Sequence, residues 1–354
     1  MELALRIFVV AIGVVLVSAA MVSAIKTVVI PRQATSVITR GVFTALRWAY
    51  DLATPASMSF ERRDRVLATY APLGMLGLLA VWLSLTFLGY AAIFWGFDGA
   101  TSATVAMELS GSSLFTLGFV LPSQFWLMMV SFTEAAIGLF LLALLITYLP
   151  TINGAFSRRE GGVTALAVRA GEPPSGVEMV QRFWRLERIS ELRDVWIEWE
   201  RWFVDVEETH TSFSALVFFR SPQADHSWVT AAGAVLDGAA LTISSIDVPH
   251  DVQADICIRA GYLSLRRIAA GNGLSVDVQP SPSDPISITR REWEDAMDDL
   301  AAGGVAIKPD RDQAWRDFAG WRVNYDTVLL ELADLTDAPY AMWSSDRGVL
   351  PTRT

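Results

Sequence analysis

Three long apolar runs dominate the first half of the chain. They extend from about Ile7 to Ile30, from Leu73 to Trp95 and from Phe125 to Leu149. A helix needs roughly 20 apolar residues to cross a membrane, so each run is a candidate span. The first also admits a secretory signal, because Ala19, Ala20 and Ala24 offer a cleavage point. Its apolar core exceeds the roughly 7–15 residues of a signal core and its leading segment is barely basic, so a retained helix is expected. Between the first two runs, Val37, Ile38, Val42, Phe43, Leu46 and Trp48 recur near helical spacing, with Arg40 and Arg47 among them. This predicts an amphipathic helix, either lying on the inner leaflet or packed on a cytosolic domain. Glu172-Pro-Pro-Ser-Gly176 then breaks the chain. Beyond it Leu192, Val195, Trp196, Trp199, Trp202, Phe203 and Val206 form one apolar helical stripe. Further helices are expected at about 226–245, 251–270, 290–302 and 312–335, with a Pro/Ser-rich loop over Ser275–Ile288. Thr289 and Glu292 have capping-box spacing, and Gly303 closes that helix.

Charge sharpens this division. The chain is 52% hydrophobic and 19% charged, against about 25% charged in an ordinary soluble domain. No Lys or Arg occurs from Val66 to Ser157, where the acids are Asp98, Glu108 and Glu134. Residues 155–354 hold 20 of the 28 basic and 31 of the 38 acidic side chains, a net charge of −11. Such acidity argues against a nucleic-acid partner. Lys26, Arg32, Arg40, Arg47, Arg62, Arg63 and Arg65 lie between the first two runs, and Arg158 and Arg159 follow the third. The positive-inside rule therefore puts the amino terminus outside and both the 31–70 segment and the carboxy-terminal domain inside, as a multi-pass protein of the cell membrane. Cys257 is alone, so no disulfide forms within a subunit. Lys appears only at 26 and 308, an Arg bias that fits a GC-rich bacterial genome.

The loop between the second and third runs, 101–122, reads TSATVAMELSGSSLFTLGFVLP. Its first half can form a short helix capped by Ser102 or Thr104. It is too short and polar to span, and such a segment enters a membrane only where protein walls it from lipid. Span, short re-entrant helix, Thr-x-Gly-aromatic, span resembles the pore module of potassium channels. The resemblance covers about residues 71–150 and rests on Thr116, Leu117, Gly118 and Phe119, where the family has the first four residues of Thr-Val-Gly-Tyr-Gly. It implies that backbone carbonyls from four chains replace the water shell of a permeant K+ or Na+. One loop per chain then implies a homotetramer embedded in membrane lipid. No other cofactor or metal is implied.

The chain departs from the family pattern at Val120, where a second glycine is usual, and at Leu121, where an aspartate usually follows. A β-branched residue resists the backbone geometry of that glycine. The carbonyl ladder is thus expected to end early, with weak selectivity between K+ and Na+. Glu134 and Gly138 share one face of the third run. Gly138 matches a hinge glycine of the family's inner helix. Glu134, an acid inside a span, either faces the cavity or bonds behind the loop to Ser110, Ser112 or Ser113. Glu108 falls on the short helix, at the outer mouth or packed behind it, and Asp98 is expected in a solvated loop.

The expected architecture is an all-α membrane protein: a tetrameric potassium-channel-like pore with an α-helical cytosolic domain. An extra amino-terminal span occupies 1–30, a linker with an interfacial helix 31–70, the pore module 71–150, a second linker 151–176 and the cytosolic domain 177–354. No dinucleotide fingerprint, P-loop, zinc spacing or nucleophile elbow appears after position 150, so no enzyme activity is expected and the ligand or protein partner of that domain is left open. His210, His226 and His250 read as capping or core residues, with a metal site formed by them with Cys257 and nearby acids as the minority alternative. The functional expectation is a cation channel gated or assembled by its cytosolic domain. The alternative is a non-conducting scaffold or sensor that retains the pore fold.

Overall fold

The computed structural model describes residues 2–30, 36–55, 57–97, 102–275 and 277–348. Arg32, Asp98 and Thr101 lie outside the described residues. In chain order the helices begin with α1 (Glu2–Ala24), α2 (Val37–Ala53), α3 (Phe60–Leu67), α4 (Tyr70–Phe97), α5 (Ala103–Leu114) and α6 (Phe125–Ala170). They continue with α7 (Gly176–Arg185), α8 (Leu192–Ser212), α9 (Trp228–Ser244), α10 (Val252–Gly271), α11 (Arg290–Ala302), α12 (Arg311–Arg322) and α13 (Asp326–Thr336). Among the described residues the one β pairing is an isolated bridge between Ile246 and Ile307. Three stretches, Leu3–Val29, Phe60–Phe97 and Phe125–Ala170, are long and apolar enough to cross a membrane. The chain divides into two compact units, Met1–Ser57 with Thr69–Asn153 and Met58–Ala68 with Gly154–Thr354.

In the first unit α1 packs on α4 through glycines. A Cβ on Gly89 would lie 2.7 Å from a Val17 methyl and 2.8 Å from the Gly13 carbonyl oxygen, and one on Gly96 would lie 2.5 Å from a Val10 methyl. Small residues let apolar helices approach closely, so that dispersion contacts hold them together. Trp82 Nε1 donates to Ser23 Oγ at 2.9 Å, and Ser23 Oγ hydrogen-bonds Ser36 Oγ at 2.6 Å. Ser36 in turn caps α2 by accepting from the Thr39 N–H at 3.0 Å. The packing partner of α2 is α4, with the Phe43 ring seated where a Gly74 Cβ would be only 2.5 Å away. Val37, Trp48 and Leu52 stay exposed on α2.

The second unit is built around α9, which is buried on every side. The expected stripe on α8 lies in the same core, with α10 as the main packing partner of that helix: Leu192, Val195, Trp196, Trp199, Trp202, Phe203 and Val206 are all buried. Thr289 and Glu292 form the capping box of α11, Gly303 is its carboxy-terminal cap as expected, and the left-handed turn follows at Gly304, with φ +86°. Two expectations are corrected. The segment set as a linker, 151–176, is helical as far as Ala170, with Pro150 inside α6. Proline removes one helical hydrogen bond, whereas burying Ala155, Val163, Leu166 and Ala170 rewards continuation. The single helix expected at 312–335 is two, because Arg266 Nε and Nη2 draw the Asn324 carbonyl out of the helical ladder at 3.0 and 2.7 Å.

The charges inside this unit are compensated. Asp237 on α9 accepts from Arg322 Nη1 at 2.6 Å and from the Tyr325 hydroxyl at 2.8 Å. Arg322 Nε also donates to Asp326 at 2.7 Å and its Nη2 to the Trp343 carbonyl at 2.6 Å. Desolvating these ions is expensive, and only this full set of partners offsets it.

His210 on α8 is buried between two fixed partners. Its Nε2 lies 3.1 Å from Arg159 Nη1 and its Nδ1 2.9 Å from the Val206 carbonyl. Guanidinium only donates, so Nε2 accepts and Nδ1 carries the proton. Burial first, and the charge of Arg159 second, push this histidine well below 6.5, while the bond to Val206 opposes the shift. Below its unfolded value the unfolded chain therefore binds a proton that the folded chain does not. Stability is full above that value and falls on acidification, by at most about 1.4 kcal/mol per pH unit. The thermal midpoint followed by tryptophan fluorescence should drop between about pH 7 and pH 5. His210→Asn, which keeps a donor toward Val206, should flatten that dependence; an unchanged slope would assign it to other groups.

Candidate functional site

The expected loop follows α5, a twelve-residue helix whose first turn is capped by Ser102 rather than Thr104. Ser102 Oγ accepts from the Val105 N–H at 3.3 Å. At the other end the chain stays hydrogen-bonded to the last turn of the helix. The Thr116 N–H donates to the Ser113 carbonyl at 3.0 Å, and the Leu117 and Gly118 N–H groups to the Ser112 carbonyl at 2.9 and 3.4 Å. The Val120 N–H donates to Ser112 Oγ at 3.2 Å. In a trans peptide each carbonyl points opposite to the following N–H. The carbonyls of Thr116, Leu117 and Phe119 therefore point away from α5. The Val120 carbonyl does the reverse: it accepts from Ser112 Oγ at 3.1 Å.

Backbone hand supports the same shape. Thr116 has φ +53° and Gly118 φ +71°. Glycine takes such a conformation freely, but a β-branched residue there is an outlier that surrounding structure must impose. Thr116 Oγ1 donates to its own preceding carbonyl, Phe115, at 2.8 Å. Leu117, Phe119 and Leu121 present their side chains outward, each more than 60% exposed. Val120 instead turns its side chain inward, against the cluster of Phe94, Leu109 and Leu127.

Behind the loop lies one enclosed carboxyl group. Glu134 Oε1 on α6 lies 2.5 Å from Ser110 Oγ, which also lies 2.8 Å from the Phe87 carbonyl oxygen. Of the three serines offered by the sequence, Ser110 meets Glu134, Ser112 holds Val120, and Ser113 bonds within α5 to Leu109 at 2.8 Å. Glu134 Oε2 has no partner among the described residues. Glu108 is exposed on α5. α6 runs unbroken through Gly138, which is a point of close contact. A Cβ there would lie 2.4 Å from the Leu114 carbonyl oxygen at the end of α5.

No family model, curated protein or solved structure matches the chain. The reading of the site therefore rests on its own geometry: a strained loop clasped to a short helix, with carbonyls turned outward over Thr116, Leu117 and Phe119. Carbonyl oxygens gathered this way coordinate hard cations.

The close contact at Gly138 generates a test. Gly138→Ala must push α6 off the end of α5 and should lower the thermal midpoint of the full-length protein in detergent by an amount equivalent to about 1–3 kcal/mol. Gly161→Ala, on the same helix with nothing within 4 Å of its added Cβ, should leave the midpoint unchanged or raise it. Equal effects of the two would show that α5 and α6 are not held together at this point.

Proposed function

We propose that this chain is one subunit of a homotetrameric cation channel in the cell membrane, with Thr116, Leu117, Gly118 and Phe119 as its selectivity filter. The observation that carries the reading is the run of carbonyls directed away from α5, with Thr116 and Gly118 in left-handed backbone. Four copies of that run facing one axis would replace the hydration shell of a monovalent cation. The three apolar stretches supply the spans. The basic flanks before α4 and after the third apolar run orient them with the amino terminus outside and the domain after 177 in the cytosol.

Closure of the loop at Val120 sets the expected selectivity. Its carbonyl is engaged by Ser112 and its side chain sits in the apolar cluster, so it neither extends the ladder nor plugs the axis. Discrimination between K+ and Na+ depends on the number and field of successive carbonyl sites, and this ladder is short. Outward Leu117 and Phe119 are the groups that would seal the pore in a non-conducting scaffold.

Purified protein in liposomes under paired K+ and Na+ gradients tests the proposal. Cation flux with weak preference for K+ is expected, and Val120→Gly combined with Leu121→Asp should move the reversal potential toward that of K+. Strong K+ selectivity in the natural protein would refute the early end of the ladder. Absence of flux in a verified tetramer would favour the scaffold, and a monomer in mild detergent would sink both.

A further inference from the structure

Away from the loop, Glu172, Asp225 and His226 converge in the second unit. Each offers one ligand atom, and these atoms lie within 4.8 Å of one another. His226 is the fixed member. It is 7% exposed, its backbone N–H donates to the Gln223 carbonyl at 3.2 Å, and its Nε2 faces Glu172 Oε1 at 3.1 Å. Glu172 and Asp225 are exposed and can rotate. Among the described residues no Lys or Arg pairs with either carboxylate. Two arginines line the same groove: Arg220 is engaged by Asp64 and by the carbonyls of Thr336 and Asp337, and Arg65 forms no ion pair with either carboxylate.

His226 Nδ1 and Ser221 Oγ are both buried without a protein partner among the described residues. Both residues line one cavity of about 20 Å³, room for a single water. Nε2 lies 3.1 Å from Glu172 Oε1, a carboxylate that only accepts, so without an ion the Nε2–H donates to Glu172. An ion bound at Nε2 takes the place of that proton and neutralises the two neighbouring carboxylates, while the imidazole proton moves to Nδ1, which faces this cavity. A ligating histidine characteristically donates its other N–H to a second partner.

We propose that Glu172, Asp225 and His226 bind one divalent transition-metal ion of the Zn²⁺ class. An imidazole nitrogen with two carboxylate oxygens suits such borderline ions better than Mg²⁺ or Ca²⁺, which take oxygen alone. Tetrahedral zinc holds its ligand atoms about 3.3 Å apart, a closure that rotation of the two exposed carboxylates supplies. Water completes the shell from an open groove of about 1050 Å³ lined by Pro173, Ser221, Asp225 and Tyr340. The bound ion would tie the chain just after α6 to the turn just before α9.

Untagged full-length protein, stripped with chelator and held in detergent, is titrated with Zn²⁺ by calorimetry. One ion per chain is expected, not displaced by about a hundredfold excess of Mg²⁺. Glu172→Gln and Asp225→Asn should each weaken binding by at least about tenfold. Zn²⁺ should raise the thermal midpoint of the natural protein and leave that of the double variant unchanged. Both positions are exposed, so these variants retain the fold, which the metal-free midpoint checks. No stoichiometric binding, displacement by Mg²⁺, or equal binding by the double variant would each overturn the proposal.

Discussion

Ser112 closes the loop, and the site depends on that closure. Its main-chain carbonyl takes the Leu117 and Gly118 N–H groups, and its hydroxyl accepts from the Val120 N–H and donates to the Val120 carbonyl. A non-helical segment among apolar spans has few ways to satisfy its backbone, because each unpaired amide or carbonyl away from water costs a hydrogen bond or more. Here the amides are spent on the end of α5. The carbonyls of Thr116, Leu117 and Phe119 are thereby left on the opposite side, where a cation is the partner that the proposed function supplies. The strain at Thr116 follows: its positive φ is the conformation that lets neighbouring amides turn back to α5.

Two small-residue contacts hold the helices that carry this loop. Gly138 admits the Leu114 carbonyl to the surface of α6, and Gly89 and Gly96 admit α1 to the surface of α4. In apolar surroundings such contacts depend on close fit, because no water is released when they form. Glu134 adds a directional element. Its bond to Ser110, which also bonds the Phe87 carbonyl, links α4, α5 and α6 at one level. The loop thus inherits its position from three helices, while its own side chains at Leu117, Phe119 and Leu121 remain uncommitted within one chain.

Much of this was legible in the sequence because it is written in local patterns. The apolar runs, the cap-and-helix of α5, the stripe on α8 and the capping box of α11 each need only spacing and residue type. Other features depend on partners distant in the chain. The segment 151–176 reads as a linker, yet Gly162 is a notch against Trp202, at 2.6 Å from an added Cβ, and the helix continues past it to Ala170. The division of α12 from α13 is imposed by Arg266, 58 residues away from Asn324. Among three plausible serines only packing selected Ser110 for Glu134. The Glu172–Asp225–His226 cluster carries no motif, since its members come from segments whose adjacency only the fold creates.

The segment Met58–Ala68 belongs to the second unit although it precedes residues 69–153 of the first in sequence. Arg63 pairs with Asp337 at 3.0 Å, and Asp64 pairs with Arg220, whose remaining nitrogens take the Thr336 and Asp337 carbonyls at 2.8 Å. A guanidinium at the end of α13 meets carbonyls that a helix leaves unsatisfied, and Asp337, at φ +50°, ends that helix. Residues 69–153 therefore leave the second unit through Ala68 and rejoin it through Gly154.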